Sequence, residues 1–200
     1  MTKQGDTRAG RPRNQDANEA ILRATLRLVS AKGFRAVTMD QIADTAGVGK
    51  MTVYRRWPNK AALVMDALLV LIGPETAFPQ AARALDRLRR QLDLQAKFFR
   101  SESGTLIRSL LAEAQSDEVL AKAFRERWLR PRRDGVIEIL KQAIAEGDVR
   151  DGIDLEVATD QLYGPIYYRM LLGSGKLDSR FLNALFEQFL SGYRMQRQER

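Results

Sequence analysis

The chain has 200 residues, of which 44% are hydrophobic, and a formal net charge of +8 at pH 7. This apolar content is ordinary for a globular protein, and no run of about 18 uncharged apolar residues predicts a transmembrane helix. The sequence holds no Cys and no His, which excludes disulfides and thiolate zinc sites and removes the usual general base. We therefore expect neither a metal nor a cofactor. Because the N-terminus lacks an apolar signal-peptide core, we also expect the protein to be cytoplasmic.

Most of the positive charge lies near the N-terminus. Residues 1–60 hold 12 Lys or Arg against 5 Asp or Glu, a net charge of +7, whereas residues 61–200 hold 21 against 20. A strongly basic segment attached to a nearly neutral one is typical of a protein that binds a polyanion such as nucleic acid. A soluble basic arm without a partner is the alternative.

Residues 1–14 are rich in Gly, Arg and polar side chains and lack periodicity, which predicts a disordered arm. Within it, the stretch Gly10-Arg11-Pro12-Arg13 is similar to the Gly-Arg-Pro core of arms that enter the DNA minor groove. Arg11 and Arg13 suit a narrow, A·T-rich groove, where the potential is most negative, although a non-specific basic tail fits equally well. Apolar residues at helical spacing then predict a first helix from about residue 16 to residue 32.

Residues 38–60 predict two short helices joined by a tight turn. Thr38 and Gln41 have the spacing of a capping box at the start of the first helix. Gly47 supplies the left-handed conformation that the turn requires, and Pro58 ends the second helix. A helix pair joined by a Gly-containing turn is a helix-turn-helix, whose second helix enters the major groove of DNA.

The remainder of the chain also shows helical rather than alternating periodicity. A helix over residues 60–72 is followed by residues 73–79, whose two prolines mark the domain boundary. Further helices are predicted over about residues 80–100, 105–114, 116–146, 154–172 and 178–195. Pro131 removes a backbone donor, so the long helix kinks or restarts there. The predicted fold is all-α, with about nine helices.

The last two helices are apolar on more than one face. In the last one, Phe181, Leu185 and Phe189 form one stripe, while Leu182 and Phe186 belong to another. A surface helix needs only one such stripe, so a second stripe predicts contact with a second subunit; a fully buried core helix is the alternative. The predicted dimer-interface residues are apolar and lie on these helices: Leu162, Ile166, Met170, Phe181, Leu185 and Phe189.

Several short sequence features stand at characteristic distances from one another within residues 16–66: Gly33-Phe34, Thr38, Ile42-Ala43, Ala46-Gly47-Val48, Thr52-Val53-Tyr54, Trp57, Asn59-Lys60 and Leu63. Their joint register resembles the DNA-binding domain of the TetR family of bacterial transcriptional regulators. Two positions depart from the family pattern, since Gly49 stands where Ser is common and Arg56 where His or an aromatic residue is frequent. Residues 147–172, with a Gly-Pro-Ile-Tyr-Tyr-Arg stretch, are similar to the regulatory domain of one large branch of that family.

The resemblance implies two kinds of DNA contact. It places Lys50 and Met51 at positions that face bases, and Tyr54 at a position that faces bases or backbone. The positions that match phosphate contacts carry hydroxyl or cationic side chains: Thr38, Thr52, Arg56 and Lys60. Arg55 is added on its charge alone. Phosphate contacts of this kind set the register of a protein on DNA rather than its choice of sequence.

The resemblance also implies the domain organisation and the function. Residues 1–14 would form the arm, 15–60 the helix-turn-helix domain, 61–78 a connecting helix and linker, and 79–200 a helical domain for effector binding and dimerisation. The expected protein is a repressor that binds a palindromic operator in double-stranded DNA as a homodimer. An unknown small-molecule effector releases it, and it associates with the nucleoid when bound to DNA. An architectural DNA-binding protein without an effector is the alternative.

Aromatic residues of the second domain are candidates for the effector pocket, because ligand pockets are mostly apolar with a few polar anchors. These residues are Phe98, Phe99, Phe124, Trp128, Tyr163, Tyr167 and Tyr168. Each of them also fits an ordinary place in the core, so that alternative stays open at this point.

An enzyme is not expected. Gly173-Ser174-Gly175-Lys176 has part of a phosphate-binding loop, but Met170 and Leu177 stand where that motif needs Gly and Ser or Thr. Without His or Cys, a serine, cysteine or metal hydrolase would need unusual catalytic groups.

Overall fold

The computed structural model describes residues 11–73 and 77–194, without the side chains of residues 11–14, 71 and 72. Its α-helices are α1 (Arg11–Lys32), α2 (Met39–Ala46), α3 (Lys50–Arg56), α4 (Lys60–Ile72), α5 (Ala84–Phe99), α6 (Glu102–Ala114), α7 (Glu118–Phe124), α8 (Arg130–Ala145), α9 (Leu155–Leu172) and α10 (Ser179–Tyr193), with a π-helical segment (Arg125–Leu129) between α7 and α8. The described residues contain no strand beyond an isolated bridge between Val149 and Arg194. The predicted all-α class is confirmed, and none of the described helices is long and apolar enough to cross a membrane.

Helix boundaries follow the capping signals closely. The side chains of Asn59, Asp154 and Asp178 each accept a hydrogen bond from a main-chain N–H in the first turn of the following helix, as expected for N-cap residues. Helix α1 begins at Arg11 rather than near residue 16, so it includes the last part of the predicted arm. The rest of that arm, residues 1–10, lies outside the described residues.

The predicted kink or restart at Pro131 takes the form of a π-helical turn. Pro131 is the second residue of α8 and follows directly after the π-helical segment. A proline lacks an N–H, and its ring crowds the carbonyl group four residues earlier. The wider π turn accommodates both effects, so the chain stays helical from Glu118 to Ala145. Such π turns occur frequently at functional sites.

The chain divides into two compact units. The first comprises residues 1–71 and 113–124, and the second comprises residues 72–112 and 125–200. The core of the first unit is built from fully buried apolar side chains of α1 to α4, among them Ile21, Ile42, Val53 and Leu63. Arg35 in this unit contacts the Glu113 carboxylate and donates a hydrogen bond of 2.6 Å to the Ser116 hydroxyl. Residues 113–124 therefore belong to the first unit although they are distant from it in sequence.

In the second unit, α5, α8, α9 and α10 pack together around a core that includes Leu88 and Leu140. This packing buries four of the six residues predicted for a dimer interface within the chain's own fold. These are Leu162, Ile166, Met170 and Phe189. Phe181 and Leu185 are half-buried. The apolar stripe chosen from the sequence faces the protomer's own core.

Candidate nucleic-acid interface and effector site

The helix-turn-helix has the predicted local chemistry. The Thr38 hydroxyl accepts a hydrogen bond of 3.2 Å from the Gln41 main-chain N–H, and the Gln41 side chain accepts one of 3.1 Å from the Thr38 N–H. This completes the capping box of α2. Gly47 has a φ of 68°, in the left-handed region that favours glycine. The turn therefore sets α3 at a fixed position against α2.

Helix α3 buries one face and exposes the other. Val53 is fully buried, whereas Met51 is 77% exposed and Tyr54 is 50% exposed. Arg55 is exposed and forms no ion pair with another described residue. Gly49 precedes α3 and provides no side-chain cap, which agrees with the departure noted from the sequence. The open face of α3 thus carries an apolar group, a phenol and a cation.

A carboxylate on α2 holds two of the predicted DNA-binding side chains. Asp40 accepts a hydrogen bond of 2.6 Å from Lys50 Nζ and one of 3.1 Å from the Tyr54 hydroxyl. The bond to Lys50 lowers the pKa of Asp40, and the bonds to Asp40 raise the pKa of Lys50 and of Tyr54. All three stay in their ordinary charge states near neutral pH. The sequence analysis did not identify Asp40 as a site residue, because its partners Lys50 and Tyr54 lie beyond the turn and only the fold brings them to it.

Lys60, a predicted phosphate contact, is engaged inside the first unit. Its ammonium group donates hydrogen bonds to the carbonyl oxygens of Phe34 at 2.6 Å and Val37 at 2.8 Å, and it lies 4.2 Å from the centre of the Phe34 ring. Burial lowers the pKa of Lys60, while the carboxylates of Asp117 and Glu113 partly offset that effect. Lys60 therefore braces the loop between α1 and α2, and a phosphate contact by it stays a prediction.

The other residues predicted to contact DNA differ in their solvent exposure. Thr38 is exposed although its hydroxyl caps α2, and Thr52 and Arg56 are half-buried. The main chain of Arg11 and Arg13 lies in α1, but their side chains are outside the described part of the chain. The minor-groove role of these two residues stays a prediction.

Aromatic side chains form a cluster inside the second unit. The Phe98 ring centre lies 5.6 Å from that of Trp128, and the Phe99 ring centre lies 5.1 Å from that of Tyr167. Trp128 is fully buried in the π-helical segment, and its indole N–H donates a hydrogen bond of 3.0 Å to the Tyr167 hydroxyl. Offset and edge contacts of this kind favour a defined arrangement of rings. We call these four residues and Tyr163 the aromatic cluster.

Two of the predicted pocket residues are not among the rings assigned to this cluster. Phe124 belongs to the first unit, and Tyr168 is 58% exposed on α9. A pocket role for these two residues stays a prediction. The other five predicted pocket residues are the members of the aromatic cluster: Phe98, Phe99, Trp128, Tyr163 and Tyr167.

Several buried polar atoms of the second unit have no partner in the described part of the chain. The Tyr163 hydroxyl is buried and has no hydrogen-bond partner among the described residues, and the same holds for Gln91 Oε1 and Gln95 Nε2 on α5. Burial raises the pKa of Tyr163, so its hydroxyl is a neutral donor. Buried polar atoms of this kind are available to form hydrogen bonds with a bound molecule.

A half-buried cation lies against the same cluster. The Arg132 guanidinium stacks on the Trp128 ring at 3.4 Å, and burial lowers the pKa of Arg132 to about 10. The hydroxyls of Tyr163 and Tyr167 are near enough to act on this pKa in the opposite direction. An apolar enclosure with a few convergent polar groups is the usual form of a small-molecule site. Sequence reasoning missed Arg132, Gln91 and Gln95, since their polar side chains alone suggest a surface position.

The first unit, with its exposed and cationic helix α3, has the form of a helix-turn-helix DNA-binding domain. The second unit is a helical domain with an enclosed aromatic cluster. Together they define a DNA-binding protein with a separate helical regulatory domain. Among the described residues no group of three His, Cys, Asp or Glu side chains is placed to hold a metal ion.

Comparison with known proteins agrees with this class. Residues 21–67 match the model for bacterial regulatory proteins of the tetR family, and residues 78–189 match the model for the tetracyclin repressor-like C-terminal domain. The chain is 36% identical over 186 residues to the HTH-type transcriptional regulator YdeS of Bacillus subtilis, with 93% of this chain and 94% of that protein covered. The crystal structure of the TetR family transcription regulator SCO0332 is 31% identical, with a TM-score of 0.74 over 88% of this chain and 98% of that one.

A more distant structure shares the fold alone. The transcriptional regulator FadR of Bacillus subtilis, solved in complex with stearoyl-CoA, is 21% identical with a TM-score of 0.66, covering 86% of this chain and 97% of that one. From the family models and YdeS, the chain belongs to the TetR family of bacterial transcriptional regulators. It is therefore a DNA-binding transcriptional regulator, and not an enzyme.

Proposed function

We propose that the protein is a repressor that binds a palindromic operator as a homodimer and is released by a small-molecule effector. The open face of α3 supports this most directly, because Met51, Tyr54 and Arg55 offer contacts to base edges and phosphates. Lys50 joins them when DNA replaces Asp40 as its partner. A single recognition helix reads only a few base pairs, and two of them about one helical turn apart supply the specificity that a repressor needs. Such a repressor works in the cytoplasm, on the nucleoid.

The exposed face of α9 supports a homodimer. Four of the exposed large hydrophobic side chains of the described residues lie on this helix, between 41% and 66% exposed: Val157, Tyr168, Leu171 and Leu172. Their spacing places them within one stripe of an α-helix. Gly164 is exposed in the same stripe and would have open space around a Cβ, so another helix can approach closely there. This stripe, together with Phe181 and Leu185, replaces the buried residues predicted from the sequence.

The aromatic cluster supports an effector. Its unpartnered Tyr163 hydroxyl and its half-buried Arg132 guanidinium offer a hydrogen bond and a positive charge that a ligand would use. The stearoyl-CoA bound to FadR supports the idea that this fold accommodates a small molecule, although the likeness does not identify the ligand here.

The chain path offers a route from effector to DNA. Trp128 of the cluster lies in the π-helical segment, and the residue before that segment is the last one of α7, which belongs to the first unit. A ligand that changes the π turn would therefore act directly on α7.

Binding to DNA is tested with fragments selected from the bacterial genome. Wild type is expected to protect a palindromic site, and Tyr54→Ala and Met51→Ala to lose that protection. Val70→Ala is the matched control, because Val70 is an exposed apolar residue of the same unit, on α4. Light scattering of the complex then gives the number of chains for each operator. Protection by all variants alike would refute the assignment of α3 as the recognition helix.

The alternative is an architectural DNA-binding protein without an effector. It predicts binding that competitor DNA abolishes and that no small molecule reverses. The enclosed polar atoms of the second unit favour the regulator, since an architectural protein has no use for them. A screen for compounds that release wild type from its operator separates the two.

A further inference from the structure

A cleft in the second unit gathers positive charge. It has a volume of about 460 Å³ and lies where the end of α5, the middle of α6 and the loop between α9 and α10 meet. The basic residues that line it are Arg100, Arg108, Arg169 and Lys176, against the single acidic residue Asp178 among its described lining. We call this site the loop cleft. It includes part of the Gly-Ser-Gly-Lys stretch, which does not match a nucleotide-binding motif.

Two of these cations are fixed in place by neutral partners. Arg100 donates a hydrogen bond to the Leu177 carbonyl oxygen, and Arg169 donates one of 2.6 Å to the Lys176 carbonyl oxygen. The Arg169 guanidinium also lies 3.6 Å from the Phe181 ring centre. Because a carbonyl carries no net charge, these bonds orient both guanidinium groups without cancelling their charge.

The other two cations have no partner among the described residues. Arg108 and Lys176 form neither an ion pair nor a side-chain hydrogen bond there. Asp178 forms no ion pair with either of them. Its carboxylate accepts a hydrogen bond of 2.9 Å from the Phe181 N–H as the cap of α10, so the lining of the loop cleft sets one negative charge against four positive ones.

Some cations elsewhere in the same unit are paired with carboxylates. Arg83 lies 2.7 Å from Asp148, and Arg133 pairs with Glu156 and Asp160. The loop cleft, in contrast, brings together four cations of which none is paired with a carboxylate among the described residues. Cations that line one cleft with low-dielectric walls focus a positive potential, which a bound anion relieves.

The floor of the loop cleft is apolar. Phe99 and Met170 line it, and both are almost completely buried. Phe99 also packs against Tyr167, so the loop cleft adjoins the aromatic cluster. The volume falls within the range of small-molecule sites. A nucleic acid would use the charge but not the apolar floor.

We propose that the loop cleft binds an amphipathic small-molecule anion. Arg108 and Lys176 hold its carboxylate or phosphate group, and its apolar part lies against Phe99 and Met170. We take this ligand to be the effector, and that part of the proposal rests on the proposed function. Charge-assisted hydrogen bonds to the two free cations supply the selectivity for an anion.

The test is calorimetric titration of the full chain with four probes: octanoate, octyl phosphate, 1-octanol and inorganic phosphate. One of the two amphipathic anions is expected to bind at one site per chain, and octanol and inorganic phosphate at least about tenfold more weakly. The preferred anion identifies the head group. The double variant Arg108→Ala/Lys176→Ala is expected to weaken that binding by at least about tenfold.

The matched control is Lys97→Ala/Arg130→Ala, which also removes two exposed cations of the second unit but none from the loop cleft. It is expected to bind like wild type. Arg100 and Arg169 stay unchanged because they brace the loop, and thermal melts check that both double variants fold. Equal binding of octanol and octanoate, equal losses in the two double variants, or binding of neither anion would each overturn the proposal.

Separate measurements distinguish a failure of the anion-site proposal from a failure of the proposed repressor function. Competition by a short non-operator duplex for the loop cleft would overturn the small-molecule assignment in favour of nucleic acid. If an amphipathic anion binds the loop cleft and leaves operator binding unchanged, the anion site stands and its role as an effector site fails. If the anion binds but the chain selects no operator, the proposed repressor function fails by itself.

Discussion

Replacing Tyr163 by Phe is expected to make the protein more stable and its response to an effector weaker. The Tyr163 hydroxyl is buried on α9 without a hydrogen-bond partner among the described residues. Leaving a buried polar group unsatisfied costs about 1–3 kcal/mol. The substitution removes that group and keeps the ring, so we expect the free energy of unfolding to rise by about 1 kcal/mol, the low end of this range because the lost hydroxyl leaves a small void.

Tyr167→Phe is the matched control, one helical turn further along α9. Its hydroxyl accepts the 3.0 Å hydrogen bond from the Trp128 indole N–H, and the change removes this acceptor. We expect a loss of about 1–2 kcal/mol in stability. Because Tyr and Phe have similar helix propensities, the opposite signs isolate the hydrogen bond as the cause.

The assay is urea denaturation followed by circular dichroism at 222 nm, with the slopes compared as well as the midpoints. A compound that releases wild type from its operator is then titrated against both variants. Tyr163→Phe is expected to need at least about tenfold more of a compound that bonds to the hydroxyl. A loss of stability in Tyr163→Phe equal to that in Tyr167→Phe would refute the reasoning, since it would show that the Tyr163 hydroxyl already has a partner.

Three further changes test the packing and the titration. Gly104→Ala places a Cβ 2.5 Å from the Phe98 carbonyl oxygen, and thermal melting should show a loss of about 1–3 kcal/mol. Lys60→Met removes the hydrogen bonds to main-chain carbonyls such as that of Phe34, and urea midpoints should show a loss of about 1–3 kcal/mol. Burial raises the pKa of Tyr163 above its ordinary value, so the unfolded chain releases its proton first and stability should fall as pH rises beyond about 10. Tyr163→Phe should flatten that fall in denaturation series at successive pH values.

Each of these expectations has a control that could contradict it. Gly192 in α10 has open space around a Cβ, so Gly192→Ala should not destabilise the protein. A loss of stability in Gly192→Ala equal to that in Gly104→Ala would show that the close contact at Gly104 is not the cause. Lys97 is exposed in the last turn of α5, and Lys97→Met should leave the midpoint unchanged. For the titration, a fall in stability at high pH that is identical in wild type and Tyr163→Phe would show that other groups cause it.

The helix-turn-helix was predictable because its signals are local. A capping box needs only two side chains three residues apart, and the left-handed turn needs a glycine at one position. The structure confirms both at Thr38, Gln41 and Gly47. Helix ends elsewhere followed the same logic, as the cap formed by Asn59 shows.

The exposed stripe that we propose as the dimer face was not predictable from periodicity, because α9 is apolar on opposite sides. The spacing that relates Leu162 to Ile166 also relates residues of the exposed stripe, such as Tyr168 and Leu172. Only the packing of α9 against its neighbours shows that the first pair is buried and the second is exposed. A sequence pattern identifies stripes, and tertiary structure assigns each stripe to a side.

Long-range pairings were beyond the sequence for the same reason. Arg35 contacts Glu113, a partner that no local signal indicates, and this contact accompanies the assignment of residues 113–124 to the first unit. Asp40 offers a shorter example, since only the turn brings it to Lys50 and Tyr54. Both acidic residues fit a solvated surface until the fold is known.

The polar groups that the fold leaves unused are the ones that carry the proposed functions. Arg55, Arg108 and the Tyr163 hydroxyl have no partners among the described residues, so removing them takes nothing from the folded state. Lys60 and Tyr167 are satisfied internally, so their removal costs stability first. Variants of the first group should therefore melt like wild type, or higher, and fail in binding, whereas variants of the second group should fail in melting. A binding defect that always came with a lower melting temperature would remove the grounds for treating these groups as ligand sites.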